Sequence, residues 1–100
     1  MGLPINDAYS TKESSTLRHV DEFIELRRNQ LAEEINAQLE IIDTLLLAHV
    51  LHGGALNDPI KLSLDKDIAY FIGLTLDHKG YYVRYSHLDT KTVLSIQIRA

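Results

Sequence analysis

The sequence predicts an α+β fold: one long N-terminal helix followed by a four-stranded antiparallel β-meander packed on the helix's C-terminal half. Three observations carry this prediction. Residues 15–52 contain no Gly and no Pro and are rich in Leu, Glu, Ala, Gln and Arg, the good helix formers. Beyond Pro59 the apolar period shortens from near 3.6 to 2. Between the two regimes stand Gly53-Gly54 and Asn57-Asp58-Pro59, a pair of strong breakers.

Residues 1–14 hold Pro4, Asn6, Asp7, Ser10, Thr11 and Ser14 with little apolar material, and read as a flexible N-terminal arm. The helix is expected over residues 15–52. Leu17, Val20, Ile24, Leu31, Ile35, Leu39, Ile42, Leu46 and His49 recur at steps of three, four or seven and form one stripe. Ser14, Ser15 or Thr16 suits the N-cap, Ser10 and Glu13 fit an earlier capping box, and Asp21, Glu22 and Glu25 suit the dipole of the first turns. Gly53-Gly54 supplies the left-handed stop.

Four strands are expected after that stop, at 60–64, 68–76, 81–87 and 92–99. Ile60, Leu62 and Leu64 alternate with Lys61 and Ser63. Ile68, Tyr70, Ile72, Leu74 and Leu76 alternate with Ala69, Phe71, Gly73 and Thr75. Tyr81, Val83 and Tyr85 form the third series, and Leu94, Ile96 and Ile98 the fourth. Turns fall at Asp65-Lys66-Asp67, at Asp77-His78-Lys79-Gly80 with Gly80 left-handed, and at Leu88-Asp89-Thr90-Lys91. Residues 15–100 thus make a single domain, as a chain of 100 residues implies.

Geometry turns this into an expectation about assembly. A helix over 15–52 is about 55 Å long, whereas strands of this length span only about 17 to 30 Å. Roughly half the helix overhangs the sheet. An amphipathic overhang finds a partner or folds back, and the stripe is interrupted near Arg27-Arg28-Asn29-Gln30, where a break would make a helical hairpin. With no Gly or Pro there, the first outcome is favoured: a homodimer or higher homo-oligomer whose seam is Leu17, Val20, Ile24, Leu31 and Ile35.

Composition narrows function mostly by exclusion. The net charge is −4 and there is no cysteine, which excludes a disulfide framework and a thiolate site. Charge is divided: residues 1–59 carry four basic against ten acidic groups, and residues 60–100 carry six basic against four acidic. No P-loop, G-x-G-x-x-G or G-x-S-x-G motif is present, and no cofactor is implied. The longest apolar run is short and the first residues lack the pattern of a secretory signal, so a cytoplasmic location is expected, away from any membrane. His49 and His52, three apart, are candidate metal ligands; imidazoles in a helix's last turn also cap free carbonyls, which we expect instead. Lys61, Phe71, Tyr82, Arg84, Gln97 and Arg99 are expected on the sheet's outer face, a candidate surface for a partner or ligand.

The expected function is a small, non-catalytic, self-associating regulator or adaptor that binds another protein, of inhibitor, chaperone or accessory-factor type. An alternative is binding of RNA, single-stranded DNA or a nucleotide through the outer sheet face. An enzyme with its site at the oligomer seam comes third, because one helix over a sheet offers no other concavity.

Overall fold

The computed structural model describes residues 17–99, so the expected arm and the candidate N-caps at Ser10, Ser14, Ser15 and Thr16 lie outside the described residues. Contacts divide the chain into two units, residues 1–30 and 31–100. The first holds helix α1 (Val20–Gln30). The second holds α2 (Ala32–Leu51), β1 (Ile60–Asp65), α3 (Lys66–His78), β2 (Tyr82–Leu88) and β3 (Lys91–Gln97).

The α+β class stands, but two parts of the expected architecture do not. The single helix over 15–52 is two helices, interrupted at Leu31 (φ −104, ψ 8). No Gly or Pro marks the interruption. What changes there is burial: α1 has no buried residue, whereas α2 buries Ile35, Ile42 and Leu46. The second error is larger. Residues 68–76 are not a strand; they lie within α3, and the sheet has three strands in the order β1-β3-β2.

Helix α3 misleads because it is buried over a wide arc. It touches α2 and all three strands, and Ile68, Ala69, Phe71, Ile72, Gly73 and Leu76 are all buried. An element surrounded in this way is apolar on most sides, and period alone then cannot separate strand from helix. Its ends are more telling. Asp65-Lys66-Asp67 is the helix start, with Asp67 in the first turn and His78 in the last, as the dipole favours. Gly80 (φ 97) is left-handed, as expected, but as the terminator of a helix. Tyr81 N–H donates to Leu76 C=O at 3.0 Å and Gly80 N–H to Asp77 C=O at 3.0 Å, a complete Schellman motif. The same motif ends α2 at Gly53 (φ 81), with Gly54 N–H donating to His49 C=O at 2.8 Å.

Both pairings in the sheet are antiparallel, so β1 and β2 run parallel with β3 between them and α3 as the connection. Register is continuous: Ile60, Leu62 and Leu64 face Ile96, Leu94 and Thr92, which in turn face Val83, Tyr85 and His87. These nine residues share the side that α3 covers. Ile72, Leu94 and Ile96 at its centre are completely buried. Asp89 (φ 38) turns the two-residue connection between β2 and β3, a backbone region that Asp tolerates better than most residues.

Candidate interaction surfaces

The residues expected at an oligomer seam divide between the two units. Leu17, just before α1, is 69% exposed; on α1, Val20 is 71% exposed, Phe23 and Leu26 are each 53% exposed, and Ile24 is half-buried. The helix is steadied locally by ion pairs Arg18–Glu22 (3.8 Å) and Arg28–Glu25 (3.9 Å). Such exposed pairs contribute only about 0.3–0.5 kcal/mol each. Ile35, by contrast, is buried in the core of the second unit and is not available for a seam; Leu31 is half-buried. Helix α2 carries more apolar surface than its core uses, since Ile41, Leu45, Leu47, Val50 and Leu51 are all exposed.

The outer face of the sheet collects most of its expected members. Lys61 and Arg84 flank Ser95 in one row across the three strands, and Tyr82 lies beside Gln97 in the next. The Arg84 guanidinium sits 5.8 Å from the Tyr82 ring centroid, a cation–π contact. Asp65 and Lys91, cross-strand partners, pair at 2.8 Å. Two expected members are elsewhere. Phe71 is a core residue of α3, because the helical period turns it inward where strand alternation would turn it outward. Arg99 lies beyond the end of β3, where its N–H donates to Leu56 C=O at 3.2 Å.

Between α3 and β2 lies a groove. It encloses 540 Å³ and is lined by Lys66, Asp67, Ala69, Tyr70, Leu74, Tyr85, His87 and Thr92. Its walls are aromatic: Tyr70 packs edge-on against Phe71 (5.2 Å), and the Tyr85 and His87 rings stack at 6.4 Å. The Tyr85 ring lies directly over Gly73, where a Cβ would stand 2.8 Å from its Cε1 and 2.9 Å from its Cζ. Burial, with the Asp77 carboxylate second, raises the Tyr85 phenol above its usual value of 10.0. Among the lining residues, buried Thr92 and exposed His87 share a hydrogen bond of 3.0 Å between Oγ1 and Nδ1. The signal for this groove, a helix placing Tyr70 and Leu74 one turn apart, disappears when 68–76 is read as a strand.

His49 and His52 each hold a backbone carbonyl. His49 Nε2 donates to Ala55 C=O at 2.7 Å and His52 Nδ1 to Ala48 C=O at 2.8 Å. His49 thereby ties the end of α2 to the following turn, with its ring pressed against Gly54. Among the described residues no three His, Asp or Glu side chains gather as metal ligands, and no helix is long and apolar enough to cross a membrane. Comparison with protein-family models, curated proteins and solved structures finds no match to this chain.

Proposed function

We propose that the chain is a small, non-catalytic, self-associating protein that regulates or adapts another protein, working inside the cell, and that α1 is its association helix. One observation carries this reading: α1 is an 11-residue helix with no buried residue, and Val20, Phe23 and Leu26 on it are exposed. Helices shorter than about 12–15 residues are marginal in water without tertiary support. An apolar surface supplied by a second copy gives that support. The surplus apolar side chains of α2 offer a further surface of the same character.

The test is mass in solution. Wild-type protein at high micromolar concentration is expected to scatter light as a dimer or larger species. Val20→Glu combined with Ile24→Glu should lower that mass at least twofold without loss of the β-sheet signal. A strictly monomeric wild type would end the proposal.

A second reading, nucleic-acid or nucleotide binding, rests on the row of Lys61 and Arg84 with Tyr82 stacked beside it. Cations beside an exposed aromatic suit stacking on unpaired bases. Arg84→Glu should then abolish binding of a single-stranded oligonucleotide at low salt, and absence of any binding by the wild type at low salt removes this reading.

A further inference from the structure

The two edges of the sheet are built differently. β1 is guarded: Pro59 precedes it, and its outward side chains are Lys61, Ser63 and Asp65. Charges and Pro are standard means of discouraging a strand from joining an exposed edge. β2 has neither a Pro nor a bulge, and Arg84 is the one fully charged side chain between Tyr82 and Leu88. Tyr82, Tyr85 and Leu88 lie exposed along it, Leu88 at 56%. On the side that α3 covers, exposed Tyr70 and Leu74 lie across the groove from Tyr85; Tyr82 and Leu88 lie on the opposite face of the strand. Among the described residues, no strand pairs with this edge.

We propose that β2 pairs antiparallel with β2 of a second copy about a two-fold axis through Tyr85, joining two three-stranded sheets into one. The occupant follows from the strand's own sequence. With the axis at Tyr85, Tyr85 opposes the partner's Tyr85, Val83 opposes the partner's His87, and Tyr82 opposes the partner's Leu88. Arg84 then faces the partner's Ser86. Centring one residue earlier sets two Arg84 guanidiniums face to face; centring one residue later sets Arg84 against the partner's Leu88. Like charges directly opposite are destabilising, whereas aromatic and apolar pairs are favourable. Of these three registers, the one centred on Tyr85 sets aromatic and apolar residues opposite one another and Arg84 opposite a neutral polar residue, so the strand complements itself there, as an isologous contact requires. The two-fold axis also leaves both α3 helices on the same side of the joined sheet, which brings Tyr70 and Leu74 of each copy to the seam.

This seam is separate from the α1 surface and does not rest on it. The experiment is therefore done on the full chain carrying Val20→Glu and Ile24→Glu, which silences α1. With both seams intact the wild type should be larger than a dimer, and the α1 variant should fall to a dimer by sedimentation or light scattering, not to a monomer. Adding Tyr82→Lys and Leu88→Lys sets Lys opposite Lys twice, and should halve the mass. Adding Tyr82→Lys and Leu88→Glu instead sets Lys opposite Glu twice, and should keep the dimer. A monomeric starting protein, a dimer that survives the double Lys change, or a Lys–Glu protein that dissociates would each overturn the proposal.

A covalent test on the otherwise unchanged chain covers the case in which the α1 variant does not fold. The sequence has no cysteine, so Tyr85→Cys introduces a single thiol. Directly opposed residues have Cα atoms about 4.5–5.5 Å apart, within disulfide reach. Mild oxidation should convert most of this variant to a covalent dimer. Leu88→Cys, placed about 20 Å from its counterpart by six residues of strand, should stay single. Equal cross-linking of the two, or none at Tyr85→Cys, would overturn the register and the seam with it.

Discussion

Glycine and tyrosine meet at one point of the core boundary, and the contact makes two residue-level predictions. Gly73→Ala drives a methyl group into the Tyr85 ring and should cost roughly 1–3 kcal/mol, the usual range for overpacking. Gly80→Ala meets no neighbouring atom, but it forces φ 97 on an L-residue and should cost about 1–2 kcal/mol. Urea unfolding of the two variants separates the causes: trimming Tyr85 should relieve the first and leave the second unchanged. The same tyrosine sets an alkaline limit. Its folded-state pKa lies above that of the unfolded chain, so the folded form holds the proton more tightly. This contribution is fully present below pH 10 and fades as the pH rises through the folded-state value. Unfolding midpoints should fall as the pH rises above 10, and the Tyr85→Phe protein should lose that part of the fall.

Among the elements, α3 is where reading and structure part, and the reason is physical. Strands β1, β2 and β3 each have a polar outer side, and their alternation locates them within a residue or two. Likewise α2 ends where Gly53 takes a positive φ. Helix α3 has little such contrast, because between its polar ends only Tyr70 and Leu74 are exposed and Thr75 is half-buried. What remained legible were its terminators: an acidic first turn and a Lys79-Gly80 stop, together spanning 13 residues, longer than the usual strand. Phe71 discriminates between the two assignments. On an outer sheet face, Phe71→Ala would be nearly neutral. In the core of a helix it should cost about 3–5 kcal/mol, measurable by thermal or denaturant unfolding.

For the molecule as a whole, stability and association are assigned to different stretches of chain. Every buried hydrophobic residue among those described, from Ile35 to Ile96, belongs to the second unit. A fragment of residues 31–100 should therefore unfold at nearly the same urea concentration as the full chain, while its mass in solution should fall if α1 associates. An excess of apolar residues over what one sheet can cover was legible in the sequence, and that excess is what the exposed side chains of α1 and α2 now display. The β2 edge was not legible, because strand order cannot be read from four alternating segments when one of them is a helix.

That strand order has a consequence for how the protein is made. β3, which both other strands pair with, follows both of them in sequence. While a ribosome is still adding β2, neither β1 nor β2 has a neighbour to bond to, and α3 has no sheet to cover. Loop closure between Ile60 and Ile96 comes late and spans about half of the second unit. Until Lys91–Gln97 emerges, the nascent chain holds α2 and α3 as amphipathic segments without a core, the kind of surface that chaperones bind.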